Sequence, residues 1–235
     1  MHEFILFSQI PASRHGQVHH IIAGVCGAQP ISICEQHLIY RQLKVADAVT
    51  SKKAASIQQP FAQASRHRYH QLVREILPAG GVLPAWTFRA EDVPQPGSQN
   101  VISRPVEEST PDTTELEKFR EGGSWYKYTT QYIALTQRFV HSNVVIRISR
   151  ILSVPEGTGA LEPLDAPTLV LADCRPVDPS GCYLFESVVR VEDGNNSELT
   201  KQAISELMAL KTQLEGAVDL RVPDRLALDT RVKAV

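Results

Sequence analysis

The run from Trp125 to Val154, WYKYTTQYIALTQRFVHSNVVIRISRILSV, constrains this chain more than any other stretch. β-Branched and aromatic residues dominate it, no Gly or Pro interrupts it before Pro155, and the polar trio His141-Ser142-Asn143 sits at its middle. It therefore reads as one long β-hairpin. A two-residue turn at Ser142-Asn143 sets Phe139 opposite Ile146, Gln137 opposite Ile148 and Ile133 opposite Leu152. One face then collects Ile133, Leu135, Phe139, Val144, Ile146, Ile148 and Leu152. A three-residue loop would put Arg138 opposite Ile146 and break that stripe. The same parity sends Tyr126, Tyr128, Tyr132, Val145 and Ile151 to the other, outer face. Apolar surface of that kind is expected to be covered, either by the helix from Asn196 to Glu215 or by a partner protein, which makes these five the candidate partner-binding residues.

The flanking chain supplies more strands and a few helices. His2–Ile10 is rich in Phe, Ile and Leu, as a strand buried on both sides would be, and Pro11 ends it. Val18, Ile21, Ile22 and Val25 then recur at helical spacing, so a helix is expected over about 14–26, closed by Gly27. Cys34–Lys44 reads as a strand. Tyr69–Leu77 fits the helical template better than the strand one on periodicity alone, and both readings stay open. Trp86 and Phe88 alternate in a strand ahead of the Pro-rich loop at 92–99, and another strand follows from Asn100. Asp112 and Glu115 form a capping-box pattern for a short helix. Thr168–Arg175 and Cys182–Glu192 read as strands, the second with Tyr183, Phe185, Val189 and Val191 on one face and Glu186, Arg190 and Glu192 on the other. Leu199, Ala203, Leu207, Leu210 and Leu214 mark a long amphipathic helix, and Val218–Val222 a last extended piece. Val45–Ser65, poor in large apolar residues, reads as a mobile insertion. Strands in succession with no βαβ rhythm give an α+β, β-dominated class: a single domain over 1–235 built as a closed antiparallel β-barrel with flanking helices.

Composition excludes more than it names. With 24 Lys and Arg against 26 Asp and Glu, the formal charge is −2, so there is no basic footprint for direct nucleic-acid binding. The opening MHEFILFSQIPASR has neither a signal-peptide cleavage site nor a membrane span, and no membrane association is expected. Cys26, Cys34, Cys174 and Cys182 show no metal spacing and read as buried free thiols. His15, His19 and His20 lack acidic or Cys neighbours in the sequence, so solvated or packed histidines are the better reading than a metal site. Arg138, Arg147 and Arg150 read as solvated strand charges. No P-loop, G-x-G-x-x-G, G-x-S-x-G or H-E-x-x-H occurs, so no catalytic, cofactor-binding or metal residue is assigned.

Three stretches carry a family likeness: the opening HEFILFSQI with the short helix after it, the hairpin arm NVVIRISRIL, and YLFESVVRV with the long helix and VDLRVPDRL behind it. Together they resemble the subunit-eighteen family of the Mediator complex of RNA polymerase II transcription, in its fungal form. The resemblance implies a barrel that pairs with a second barrel, subunit twenty. It also implies docking of a helix of subunit eight, polymerase reached through the assembled head module, a nuclear location and a structural and regulatory role without chemistry. The rival is a metal-dependent triphosphate hydrolase with a related tunnel barrel, which needs inward Glu-x-Glu pairs on strands. Here Glu-x-Glu occurs only at Glu115 and Glu117, in the short helix, so hydrolysis is not expected.

Overall fold

The computed structural model describes residues 1–43, 68–77, 84–95, 100–120, 125–155, 164 and 171–232. Eight antiparallel strands close into a barrel: β1 (His2–Ile10), β2 (Ile31–Gln42), β3 (Tyr69–Glu75), β4 (Thr87–Glu91), β5 (Ile102–Ser109), β6 (Tyr126–His141), β7 (Val144–Ser153) and β9 (Tyr183–Val191). Their order round the wall is β6-β2-β3-β4-β5-β1-β9-β7, and pairing of β7 with β6 closes the ring. A two-residue strand, β8 (Arg175–Pro176), adds to the end of β7. Closure removes most of the exposed strand edges that an open sheet of this size would carry.

The β6–β7 hairpin has the expected register, with Phe139 opposite Ile146, Gln137 opposite Ile148 and Ile133 opposite Leu152. At the turn Ser142 is the one non-glycine residue with positive φ, 54°, among the described residues. The stripe from Phe139 through Val144, Ile146 and Ile148 lies on the outside of the barrel. There it joins Phe4, Leu6, Phe185, Val189 and Val191 in the main hydrophobic core. Two helices cover it: α1 (His15–Cys26), through Val18 and Ile22, and α3 (Ser197–Gln213), through Ala203, Leu207 and Leu210. α1 ends on Gly27 in the left-handed region, φ 62°, where a side chain would be strained. Asn196 caps α3 by accepting from the N–H groups of Glu198 and Leu199.

A second, smaller outer cluster gathers Leu38, Tyr40, Leu72, Trp86, Phe119 and Leu164, with Phe88, Leu116, Tyr126 and Tyr128 against it. Its roof is α2 (Thr113–Leu116), which carries the capping box of Asp112 and Glu115, and the 3-10 turn that continues to Phe119. Behind α3 the chain returns to the barrel. The Phe7 N–H donates to the Arg221 carbonyl at 3.0 Å and the Arg221 N–H to the Phe7 carbonyl at 2.8 Å. β5 pairs with β1 only over His2–Ile5, so this C-terminal strap takes over the edge that β5 leaves.

One open reading is settled and several expectations are corrected. Tyr69–Glu75 is a strand: Leu72 faces the outer cluster while Gln71 and Val73 face inward, and apolar residues on both sides of a barrel wall mimic helical spacing. Thr168–Arg175 is not a strand where it is described; Leu171–Asp173 is a 3-10 turn and pairing starts only at Arg175. Val218–Val222, read as an extended piece, pairs with the barrel through one bridge, Phe7 with Arg221. The four cysteines are free but half-buried. Val45–Ser65 and the end of the Pro-rich loop lie outside the described residues.

Candidate functional site

Residues opposite one another in a ladder share a face, so the register assigns the barrel interior. Glu3 stands opposite Arg104 on one side and Arg190 on the other, whereas the neighbouring Phe4 points to the helices. Arg89 stands opposite Glu108, and Glu91 opposite Val106. The interior is thus lined by charge. Glu3 is 1% exposed and is held by Arg89 at 2.8 Å, Arg104 at 3.2 Å and Arg190 at 2.8 Å. Glu91 takes Arg104 at 2.6 Å and Arg89 at 2.7 Å, and Glu108 takes Arg190 at 3.0 Å and also Arg89. Three carboxylates and three guanidiniums from β1, β4, β5 and β9 neutralise each other. Burial opposes ionisation of Glu3, but the three arginines outweigh it and hold its pKa down at about 2. Burial likewise opposes the charge on Arg89, and Glu3 and Glu91 raise its pKa above the ordinary value.

The opposite wall of the interior is less tightly bonded. Arg138 stands opposite Arg147, and Arg147 opposite Glu186, whose carboxyl burial pushes up in pKa against the pull of Arg147 and Arg104. Arg138 and Arg147 are therefore interior residues rather than the solvated charges expected. Arg150 lies on the outer face, its guanidinium 5.8 Å from the Tyr183 ring. Thr136 and Ser149 share a hydroxyl bond of 2.9 Å. His37 stacks on Tyr132 at 4.5 Å and its Nδ1 meets Gln71 at 3.1 Å.

The five candidate partner-binding residues do not share one outer face. Tyr132, Val145 and Ile151 point into the barrel: they lie opposite the interior residues His37, Val188 and Ala134. Burial first, then the nearby Glu91 and Glu186, raises the Tyr132 pKa above the phenol range. Tyr126 and Tyr128 point outward, because Ile39 pairs with Thr130 but Tyr40 with Tyr128. The skipped residue, Thr129, is a β-bulge that reverses the face of everything before it. Phe119 stacks on Tyr126 at 4.1 Å, and Tyr40 meets Tyr128 edge-on at 5.8 Å. The cover for these tyrosines is thus the 3-10 turn, not α3, which lies on the opposite stripe. Nothing in the sequence marks a bulge at Thr129. The interior charges left a trace on two strands: Arg89 and Glu91 alternate with Phe88 and Ala90, and Glu186 and Arg190 with Phe185, Val189 and Val191, whereas on β1 and β5 Glu3 and Arg104 share their face with Ile5, Ile102 and Val106.

The histidines of α1 lie side by side, His19 with its ring centroid 6.2 Å from His15 and 5.7 Å from His20, and two of them pack on the barrel. His15 stacks on Tyr183 at 4.0 Å and meets Gln137 at 3.0 Å, and His19 meets Phe139 edge-on. Among the described residues no group of three His, Cys, Asp or Glu is placed to hold a metal ion, and no helix is long and apolar enough to cross a membrane.

A family model described as Med18 protein matches residues 2–231. This chain belongs to the Med18 family. Several curated relatives named Mediator of RNA polymerase II transcription subunit 18 align along their whole length. The relative from Neosartorya fischeri is 27% identical over 271 positions, covering 99% of this chain and 100% of its own. The one from Coccidioides immitis is 28% identical over 270 positions, with the same coverage. Among solved structures, a chain of the Schizosaccharomyces pombe Mediator head module superimposes with a TM-score of 0.66 at 19% identity, covering 95% of this chain and 99% of that one; this likeness bears out the closed barrel. The Med18 family consists of structural subunits of a transcription complex, so the chain is a non-catalytic family member.

Proposed function

We propose that this chain is a scaffold subunit of the Mediator head module in the nucleus. There it pairs with subunit twenty, receives a helix of subunit eight and supports RNA polymerase II through the assembled module. The observation that carries the reading is the end-to-end family match, residues 2–231, on a barrel that superimposes on a chain of a head module. The interior is consistent with it. A barrel in which Glu3, Glu91 and Glu108 are already bonded to arginines offers a rigid body rather than a reaction chamber. On the outer face, Tyr126 and Tyr128, beside the 37%-exposed Trp125, remain the tyrosines of the original five that a partner can reach. Affinity purification of the tagged chain from nuclear extract tests the reading, with the other head subunits expected at stoichiometric yield. Recovery of the chain free of all of them would overturn it.

A further inference from the structure

Where the C-terminal strap leaves β1, a cleft of about 560 Å³ opens between Ile10, Pro11 and Val18 on one side and Val218, Val222 and Pro223 on the other. Its size is that of a site for one or two large side chains. The floor is apolar, and its walls are fixed because Val18, Ile10 and Val218 belong to the main core. One rim is electropositive. The helical run that begins at Ala12 and continues as α1 has Pro11 at its cap, no side-chain cap and no acidic residue in the first turn of either part, so the helix itself supplies nothing to compensate the positive end of its dipole; the Asp178 carboxylate on the β1 side accepts from Gln9 Nε2 at 3.2 Å. Arg14 stands beside it. Its guanidinium donates to two neutral acceptors, the Ala217 carbonyl at 2.9 Å and Gln17 Oε1 at 3.3 Å, and among the described residues it meets no carboxylate. Across the cleft Arg221 is paired with Asp219. An apolar hole beside a positive rim selects its occupant by charge.

We propose that this cleft is a docking site for a partner-protein segment that inserts an apolar anchor side chain between Ile10 and Val222 and sets a neighbouring Asp or Glu against Arg14 and the start of the helix. The inference rests on the reading of the chain as a subunit that works by binding proteins, and it adds a place on the surface and the chemistry of the occupant. The test uses the full chain co-expressed with the remaining head subunits of its own complex, with a photo-crosslinking benzoylphenylalanine at Gln9, an exposed residue of the cleft, or at the exposed Glu198, at the end of α3 away from the cleft. Position 9 is expected to cross-link to a segment in which a large apolar residue stands within four positions of an acidic one, and position 198 is not. Arg14→Glu is expected to weaken capture of the cross-linked subunit at least tenfold and Arg14→Lys less than threefold, with melting temperatures unchanged in both. Co-purification of the head subunits without a cross-link from position 9, or a cross-link to a basic segment, would overturn the cleft assignment while leaving the scaffold reading intact. Failure of the unsubstituted chain to co-purify would overturn the scaffold reading itself.

Discussion

His70, on the outer face of β3, shows how a single side chain ties this fold to pH. It packs edge-on against Phe88 at 5.3 Å and lies 5.6 Å from Tyr126, and its Nδ1 is buried without a hydrogen-bond partner. Burial first, and the positive charge of Arg68 second, lower its pKa to about 4. The unfolded chain therefore binds a proton on this histidine at a pH where the folded chain does not. The stability that follows is fully present above about pH 6.5 and is lost as pH falls toward 4. Replacing His70 with Phe is expected to remove that loss, so that a urea series between pH 6.5 and 4 runs flatter than for the unchanged protein; parallel curves would show that His70 is not the titrating group. Glu3 acts in a lower window and with the larger structural stake. Its depressed pKa contributes stability that is present above the ordinary glutamate range and is lost as pH falls from about 4.5 toward 2. Glu3→Gln leaves Arg89, Arg104 and Arg190 without their shared carboxylate, and a loss of roughly 3–5 kcal/mol is expected at neutral pH. A loss under 1 kcal/mol in chemical denaturation would mean that the arginines find water or another acid at no cost.

The hairpin is the element whose sequence and geometry agree most closely, and it also shows where agreement stops. Its register was legible from the turn to Ile133 and Leu152 because a two-residue turn admits one pairing and the apolar stripe admits one parity. Beyond Thr130 the same reasoning failed. A bulge costs the ladder one residue and leaves no mark in a run of Tyr, Lys and Thr, so Tyr126 and Tyr128 were assigned to the face that Tyr132 alone occupies. The charged lining is illegible for a related reason. A strand with a charged residue such as Arg138 or Arg147 on one face looks the same whether that face meets solvent or a closed interior, and only ring closure, a property of eight strands together, distinguishes the two. The turn itself permits a sharper test. Ser142 has φ 54° while Asn143 does not share the positive φ, the pattern of a turn that favours glycine at its first central position. Ser142→Gly is expected to raise stability by up to about 1 kcal/mol, relief of the left-handed strain exceeding the entropy that glycine adds to the unfolded chain. Asn143→Gly is expected to lower it, because the Asn143 amide bonds Glu206 of α3 at 2.8 Å. Thermal melts of the two single variants decide the matter, and equal shifts would contradict the turn assignment.

At the scale of the whole molecule, the barrel is a wall with two different linings. The outside is apolar under α1, α3 and the α2 turn, while the inside carries a neutral set of Glu3, Glu91 and Glu108 against Arg89, Arg104 and Arg190. A related tunnel that held a metal or a polyphosphate would need its inward charges available, carboxylates for the cation or guanidiniums for the anion. Within this set each spends its bonds on the other, so binding a tripolyphosphate there would require breaking several buried ion pairs, each costly to expose; Arg138 and Arg147, the latter opposite Glu186, are interior guanidiniums outside the set. Triphosphate-ended RNA is accordingly expected to be stable with this protein in Mg or Mn, and tripolyphosphate to leave its melting temperature unchanged. Glu3→Gln provides the contrast within one scaffold. It converts the neutral set to one with a net charge of +1 without adding a basic residue, and it frees donors on three arginines that converge on one point. Tripolyphosphate or inorganic phosphate at millimolar concentration is therefore expected to raise the melting temperature of Glu3→Gln, by linkage to the folded state alone, and to do so less as salt is increased. A stabilisation of the unchanged protein by either anion would show that the interior is open to phosphate as it stands. Absence of any response in a folded Glu3→Gln would show that the arginines, once released, turn to Glu91, Glu108 or Glu186 rather than to a ligand.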